Sequence, residues 1–175
     1  MVQRRLAPAD PGVAEPLAYI SRASSELIDS MSDIVWSINP QRDHLKDLVH
    51  RMRRFAADTL TARGIQFKLL LPGDEQDIRL EGNLRRQVFL IFKEAVNNLV
   101  RHSGCTEAEV AMKVGGSRLL LRVADNGTGF EMPAHADGHG LTGMQTRAAV
   151  MGGGFEIKSS KEGTVVSLEV PYQNS

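Results

Sequence analysis

Apolar residues recur at helical spacing in the stretch Leu-Ile-Phe-Lys-Glu-Ala-Val-Asn-Asn-Leu-Val-Arg-His, which runs from Leu90 to His102. Successive helical residues are rotated by about 100°, so side chains three and four positions apart share a face. One broad face collects the apolar residues Val88, Ile91, Phe92, Ala95, Val96 and Leu99. The pattern predicts an amphipathic helix from about residue 83 to residue 101, buried along this face.

The same spacing predicts two helices earlier in the chain. The first covers residues 14–39, and one side of it is marked by Leu17, Ile20, Leu27, Ile28, Met31, Ile34, Val35 and Ile38. It ends at Asn39-Pro40, because proline disfavours the helical conformation in the residue before it. The second runs from Asp43, a suitable cap, to residue 63, and Gly64 stands where a C-terminal glycine belongs.

Strands are predicted where alternating or β-branched runs are closed by turn residues. They cover residues 65–71, 107–114, 118–124, 155–160 and 164–170. The second and third are joined at Gly115-Gly116, and a further helix from Leu141 to Met151 is ended by three glycines. Helices and strands mixed in this order predict an α/β (α+β) two-layer sandwich, with helices covering a mostly antiparallel mixed sheet.

Composition adds few constraints to this picture. The 175 residues carry 21 basic and 21 acidic side chains, so no net charge attracts nucleic acid or an anionic membrane. The single cysteine, Cys105, cannot form an internal disulfide. Residues 1–13, expected to be a disordered lead-in, lack a signal-peptide core, and no apolar run reaches the roughly 18 residues that span a bilayer. We expect a cytoplasmic chain with no nucleic-acid partner and no membrane contact of its own.

Four polar residues lie at one border of the apolar face of the helix predicted over residues 83–101: Glu94, Asn98, Arg101 and His102. They cluster there because residues three and four apart are neighbours on a helix. The Asn98 oxygen is a neutral hard ligand for Mg²⁺, which takes its other ligands from water and phosphate. The Glu94 carboxylate can orient a bound water or accept a proton. The pair suits magnesium-nucleotide chemistry, although the same spacing also occurs on an ordinary solvated helix edge.

A glycine-containing turn, Asp125-Asn-Gly127-Thr-Gly129, directly follows a predicted strand. The Asp125 carboxylate can accept a hydrogen bond from the amino group of adenine. The glycines let the backbone turn tightly and approach a ligand. A plain Asx turn is the alternative interpretation of the same residues.

A second glycine-rich segment, Gly138-His139-Gly140-Leu141, opens the predicted helix at residue 141. Backbone N–H groups at a helix N-terminus bind anionic phosphates. The loop from residue 125 to residue 139 is long enough to act as a lid. Later in the chain, Gly163-Thr164 begins the last strand, where a small residue and a hydroxyl can flank an adenine pocket.

One motif in this region is misleading. Gly138, Gly140 and Gly143 satisfy the spacing Gly-x-Gly-x-x-Gly of dinucleotide-binding proteins. That motif requires a hydrophobic strand directly before it, inside a parallel βαβ unit. The preceding residues are Met-Pro-Ala-His-Ala-Asp, which cannot form a buried parallel strand. The dinucleotide interpretation is therefore rejected.

The ordered set of four motifs resembles the Bergerat-type ATP-binding fold shared by gyrase, the heat-shock chaperone, histidine kinases and MutL. Within that superfamily the chain resembles sensor histidine kinases of the nitrate-sensor and desaturase-sensor class. Two stretches carry this closer resemblance, Phe92-Lys-Glu-Ala-Val-Asn-Asn-Leu-Val-Arg-His-Ser and Gly138-His-Gly-Leu-Thr-Gly-Met-Gln-Thr-Arg-Ala. The resemblance extends over about residues 24–171.

The resemblance implies a role for each matched residue, with ATP and Mg²⁺ as cofactors. Glu94 is the catalytic residue that assists phosphoryl transfer, Asn98 binds Mg²⁺, and Asp125 recognises adenine. The residues expected to bind ATP are Asn98, Arg101, His102, Asp125, Gly127, Gly129, Gly138, His139, Gly140, Leu141 and Thr164. The implied reaction transfers the γ-phosphoryl group of ATP to a histidine on a dimerisation domain.

The chain departs from this class in one respect. Such kinases carry an acceptor histidine in a context like Asp-Leu-His-Asp, and no such stretch is found; His44 follows the Pro40 break and begins the next helix. Residues 14–39 resemble the end of a dimerisation domain, and residues 40–175 resemble the catalytic domain. We therefore expect a catalytic fragment of a longer sensor, lying on the cytoplasmic side if that sensor is membrane-anchored.

The expected partners are the dimerisation and phosphoacceptor domain of the same sensor and, downstream, a response regulator. The full-length protein is compatible with a homodimer. Two other functions share these motifs. One is a nucleotide-gated interaction module without kinase activity, favoured by the missing acceptor and disfavoured by the intact Glu94 and Asn98. The other is an anti-sigma-factor-type serine kinase, disfavoured by the helical lead-in over residues 16–63.

Overall fold

The computed structural model describes residues 43–76, 78–130 and 139–173, and positions 16–17, 19–20, 23–24, 27–28, 31–32 and 34–36. The chain divides into two compact units, Met1–Ile38 and Asn39–Ser175. The predictions for residues 1–13, for the helix end at Asn39-Pro40 and for Gly138 lie outside the described residues.

The described residues of the first unit are all helical, in agreement with the predicted helix. Most of its described large apolar side chains are exposed, among them Leu17, Ile20, Leu27, Ile28, Met31, Ile34 and Val35, whereas Trp36 is buried. In the part of the chain that the structure describes, no helix is both long enough and apolar enough to cross a membrane.

The second unit is built on one five-stranded sheet. The strands are β1 (Gln66–Leu70), β2 (Glu107–Gly115), β3 (Arg118–Asp125), β4 (Gly154–Ser160) and β5 (Gly163–Pro171). Their order across the sheet is β1-β2-β3-β5-β4. The β1–β2 pair is parallel, and the other three pairs are antiparallel. The predicted mostly antiparallel mixed sheet is therefore confirmed.

In the described part of the second unit, three helices accompany this sheet: α1 (Leu45–Thr61), α2 (Gly82–Asn98) and α3 (His139–Val150). The α2 residues predicted to form an apolar face are all buried. On the sheet, Met112, Leu121 and Leu168 stand side by side in register on β2, β3 and β5, and all three are buried. Because strand side chains alternate between faces, their neighbours point the other way, where exposed Arg122 pairs with Glu109 at 2.8 Å. The predicted two-layer sandwich is confirmed.

The end of α2 and the position of the β2–β3 turn differ from the sequence predictions. The helix predicted to reach residue 101 ends at Asn98 and continues as a π-helical turn, Leu99–Ser103. The β2–β3 hairpin turns at Gly116 and Ser117, one residue later than predicted, with φ of 58° and 60°. Two successive positive φ angles match the right-handed twist of the adjoining strands, which explains this position for a two-residue turn.

Asp43, expected to cap α1, has a different role. The α1 N-cap is His44, which makes no capping hydrogen bond through its side chain. The Asp43 carboxylate instead lies 3.0 Å from Nη2 of Arg85, whose side chain is completely buried, while Asp43 is 22% exposed. The Leu80 N–H also donates to the Asp43 carbonyl at 2.8 Å. These contacts join the start of α1 to the first turn of α2.

We expect Asp43→Ala to lower the free energy of unfolding by about 3 kcal/mol, because the buried Arg85 guanidinium loses this carboxylate. Arg85→Met should cost less, since methionine fills a similar volume and partly exposed Asp43 remains hydrated. Chemical denaturation of both variants tests this comparison. Equal midpoints for Asp43→Ala and the wild type would show that the ion pair does not stabilise the fold.

Candidate functional site

A cavity of about 550 Å³ lies between α2, the π turn, the start of α3 and strands β3, β5 and β4. Ligand pockets in proteins commonly have volumes of about 300–1,000 Å³, so a nucleotide-sized ligand fits. The predicted site residues that line it are Glu94, Asn98, Arg101, His102, Asp125, Gly140, Leu141 and Thr164. Residues separated by as many as 70 positions in sequence are thus brought to one cavity.

The remaining predicted residues are not part of the described cavity lining. Gly127 and Gly129 belong to the turn after β3 and are not part of the described cavity lining. His139 is the first residue of α3, but its side chain lies outside the described part of the chain, as does the whole of Gly138.

The α2 side of the cavity carries half-buried Glu94 and Asn98, one helical turn apart. Arg101 and His102 follow in the π turn and are exposed. The buried Ser103 hydroxyl closes this turn by donating to the Leu99 carbonyl at 2.7 Å. Short π-helical segments inside helices are frequent at functional sites, and this one lies along the cavity wall.

Cys105 follows the π turn and is half-buried. Burial raises the pKa of its thiol above the ordinary value; the hydrogen bond with Ser103 opposes the rise, and the Asp125 charge adds to it. The thiol is therefore protonated at neutral pH and is a poor nucleophile or metal ligand there.

On the opposite side, Asp125 is fixed by backbone donors. Its Oδ1 accepts hydrogen bonds from the Gly127 N–H at 2.8 Å and from the Thr164 N–H at 3.4 Å. The first of these is the Asx turn that the sequence left as an alternative interpretation. Because the same carboxylate lines the cavity, the turn and a ligand contact through Oδ2 are compatible.

Close backbone contacts explain three glycines around Asp125. A Cβ on Gly127 would collide with the Ser103 carbonyl, and one on Gly129, which has φ of 62°, would collide with the Ser160 carbonyl. Gly163 has φ of 122°, and a Cβ there would meet the Asp125 carbonyl. These glycines hold the Asp125 turn against the π turn and the β4–β5 hairpin.

Gly163→Ala is expected to destabilise the fold by about 2–3 kcal/mol, because a side chain at this φ is strained and its Cβ meets the Asp125 backbone. Gly154→Ala on β4 is the matched control, since a Cβ there meets nothing within 4 Å. Thermal unfolding of the two variants provides the measurement. A Gly163→Ala variant as stable as Gly154→Ala would contradict the crowding at this turn.

The apolar wall of the cavity was not predicted. Val123, Val166 and Ile157 lie side by side on β3, β5 and β4, and all three line the cavity with Met144 and Phe130. The β4–β5 hairpin pairs Ile157 with Val166, but Val123 joins them only through the β3–β5 pairing, which no turn signal in the sequence marks. A flat apolar surface of this kind suits an aromatic base.

The carboxylate of Glu94 connects the two helices at the cavity. It fills the space in which a Cβ on Gly140 would stand, so α2 and the first turn of α3 meet there. Gly140 and Leu141 bring backbone N–H groups of a helix N-terminus to the same end of the cavity. That end therefore combines a carboxylate with helix N-terminal donors, and the Asn98 carboxamide lies one helical turn from the carboxylate.

The family to which these features belong is identified by sequence comparison. The profile described as "Histidine kinase-, DNA gyrase B-, and HSP90-like ATPase" matches residues 83–174. The chain belongs to this family of ATPases. The matched range contains α2 from its second residue onward, the π turn, α3 and strands β2–β5, and so every residue that lines the cavity.

Proteins whose sequences are similar to this chain are sensor kinases. The chain is 29% identical to the signal transduction histidine-protein kinase/phosphatase UhpB of Salmonella typhimurium over 98% of its own length and 34% of UhpB. It is 28% identical to the sensor histidine kinase NarS of Mycobacterium tuberculosis, over 95% of the chain and 38% of NarS. The predicted resemblance to sensor histidine kinases is thereby confirmed. The chain spans about a third of the length of these curated relatives.

Solved structures with a similar fold are also histidine kinases. The histidine kinase AdeS of Acinetobacter baumannii superposes with a TM-score of 0.67 at 16% identity, over 97% of this chain and 88% of AdeS. The histidine kinase domain of a blue-light activated kinase from Erythrobacter litoralis superposes with a TM-score of 0.60 at 16% identity, over 71% of this chain and 61% of that one. At such identities the superpositions establish a shared fold.

Proposed function

We propose that this chain is the ATP-binding catalytic domain of a two-component sensor histidine kinase. It would transfer the γ-phosphoryl group of ATP to a histidine on a dimerisation domain. The observation that carries the proposal is the polarity of the cavity: Asp125 and Thr164 share it with the apolar strand wall, while the Glu94 carboxylate meets Gly140 at the N-terminus of α3 and Asn98 lies one helical turn from Glu94. This matches a molecule with an aromatic base and a polyphosphate.

The adenine is assigned to the strand end of the cavity. Its rings pack on Val123, Ile157 and Val166, whose side chains supply the apolar contact area. Asp125 accepts a hydrogen bond from the exocyclic amino group, and its Oδ1 is already held by two backbone N–H groups. A carboxylate fixed in this way is preorganised, so little entropy is lost when the base binds.

The phosphates are assigned to the α3 end of the cavity. Backbone N–H groups of Gly140 and Leu141 and the helix dipole favour negative charge there. Exposed Arg101 and His102 line the same cavity from the π turn, and the Arg101 guanidinium adds positive charge to it. Gly138, His139, Gly127 and Gly129 remain predicted contributors through their backbone.

The oxygen donors in the cavity fit a magnesium ion that shares its coordination with phosphate. Among the described residues, no group of three or more His, Cys, Asp or Glu side chains could hold a metal on its own. Asn98 would supply one neutral oxygen and water and phosphate the others, as Mg²⁺ prefers. When bound, Mg²⁺ would neutralise charge on the phosphates.

The chemical step requires little covalent work from the protein. A histidine nitrogen of the acceptor attacks the γ-phosphorus, an N–P bond forms, and the bond to the bridging oxygen of ADP breaks. Glu94 lies at this end of the cavity and can accept the proton of the attacking imidazole or orient the ring. Positioning and electrostatic stabilisation therefore supply most of the rate.

The remaining parts of the proposal concern the whole sensor. Residues 14–39 would be the end of a dimerisation domain and residues 40–175 the catalytic domain. The partners would be the acceptor domain of the same sensor and a response regulator, with a homodimer as the full-length form. The chain would act in the cytoplasm. Support comes from the relatives, which are named sensor histidine kinases.

Phosphoryl transfer to a supplied acceptor tests the proposal. The chain is incubated with γ-labelled ATP and a separately produced dimerisation domain that carries the acceptor histidine. We expect an acid-labile, alkali-stable label on that domain, and none when its histidine is replaced by glutamine. Acid-stable label on serine would favour the serine-kinase alternative. Tight ATP binding without any transfer would favour the nucleotide-gated module.

A further inference from the structure

The hydroxyl of Ser159 on β4 is joined to two parts of the cavity wall. It accepts a hydrogen bond from the Phe130 N–H at 2.8 Å, and it lies 3.1 Å from the Thr164 hydroxyl on β5. Ser159 and Thr164 are directly paired in the β4–β5 ladder. Phe130 and Thr164 both line the cavity, whereas Ser159 is not part of the described lining.

Either hydroxyl can donate in the hydrogen bond between them, and the contact with Phe130 favours donation by Ser159. A hydroxyl carries one proton and two lone pairs. Ser159 uses one lone pair for the Phe130 N–H, which can only donate, so its own proton is available for the Thr164 oxygen. When Ser159 donates in this way, the Thr164 proton is left to donate into the cavity.

The Thr164 hydroxyl is then a hydrogen-bond donor that lies beside the Asp125 carboxylate, which is an acceptor. The Thr164 backbone N–H donates to Oδ1 of Asp125 at 3.4 Å, so the two side chains are neighbours on the cavity wall. The edge of adenine presents an amino donor next to a ring-nitrogen acceptor. The edge of a 6-oxopurine presents a carbonyl acceptor next to a ring N–H donor. An acceptor at Asp125 and a donor at Thr164 match the first base and oppose the second.

We propose that Ser159 is a positioning residue for base selectivity: through its hydrogen bonds to Phe130 and Thr164 it sets the Thr164 hydroxyl as a donor toward the base. This inference rests on the proposed function. Without Ser159, the Thr164 hydroxyl rotates freely and can accept as well as donate. A 6-oxopurine is then opposed less strongly, and adenine loses part of its preorganised contact.

The test compares the affinities of ATP and inosine triphosphate, which differ only at this edge of the base. Dissociation constants are measured by calorimetric titration for the wild type, Ser159→Ala and Ser160→Ala. Ser160 is the matched control, because its exposed hydroxyl only accepts the Glu162 N–H within the hairpin turn. We expect Ser159→Ala to reduce the preference for ATP by about fivefold or more, the worth of one hydrogen bond, and Ser160→Ala to leave it unchanged.

A purely structural role for Ser159 gives a different result. A loosened cavity lowers the affinity for both nucleotides equally and preserves the ratio of the two affinities. Such a preserved ratio overturns the inference while leaving the proposed function intact. A wild type that binds no ATP overturns the proposed function instead. Thermal unfolding is followed in parallel. If Ser159→Ala does not fold, Ser159→Thr is measured instead, because it retains the hydroxyl. The proposal requires this variant to keep the wild-type ratio of the affinities for ATP and inosine triphosphate, and a changed ratio would contradict it.

Discussion

Asp125→Asn is expected to weaken ATP binding at least about tenfold, the cost of an unsatisfied buried hydrogen bond. The backbone N–H groups of Gly127 and Thr164 occupy Oδ1 and require an acceptor there. The new amide must therefore place its NH₂ group at the position of Oδ2. Two donors, this NH₂ and the adenine amino group, then face each other. Calorimetric titration with ATP measures the loss.

Asp58→Asn is the control for this variant. It makes the same chemical change on the exposed surface of α1, where Asp58 lies 3.9 Å from Arg54 and is 76% exposed. Exposed ion pairs contribute little, so ATP affinity should stay at the wild-type value. Equal affinities of Asp125→Asn and the wild type would remove the adenine assignment.

Asn98→Ala is expected to abolish magnesium-dependent phosphoryl transfer while adenosine binding survives. Asn98 lines the cavity from α2, one helical turn from Glu94, whereas the base is assigned to Asp125. The change therefore removes the oxygen donor assigned to the metal and leaves the assigned base contacts intact. ATP binding should also lose its dependence on magnesium concentration. Transfer to a supplied acceptor domain and titrations with adenosine and with ATP at several magnesium concentrations provide the readouts.

The matched control for this prediction is Asn97→Ala, the same change one position earlier on α2, outside the described cavity lining. Glu94→Ala gives a complementary result: binding near the wild-type value with transfer reduced by about 100-fold or more. If Asn98→Ala transfers phosphate at the wild-type rate, the metal assignment is wrong whatever the fold.

Local periodicity accounts for what the sequence predicted well. The apolar face of α2 has one spacing throughout, and all its predicted members are buried. The two antiparallel hairpins are marked by turn residues, and their strands agree with prediction within two residues at each end. The order of the motifs along the chain was sufficient to indicate the cavity, because each motif lies at the end of a strand or on a helix next to it.

Contacts between distant segments account for what the sequence did not predict. Asp43 is suitable as a cap, but the buried Arg85, 42 positions later, binds its carboxylate instead. The π turn after Asn98 is held by the Ser103 hydroxyl, which nothing in the helical spacing distinguishes. Ser159 becomes relevant only when the Phe130 backbone folds back onto β4. Such contacts depend on tertiary structure and carry no local pattern.

The most direct test of the assigned cavity is a crystal structure of this chain with Mg²⁺ and a non-hydrolysable ATP analogue. The account predicts the adenine amino group within hydrogen-bond distance of Asp125, the rings on Val123 and Val166, and the metal bound to Asn98. An analogue bound with its base at the Glu94 end, or anywhere outside this cavity, would contradict it.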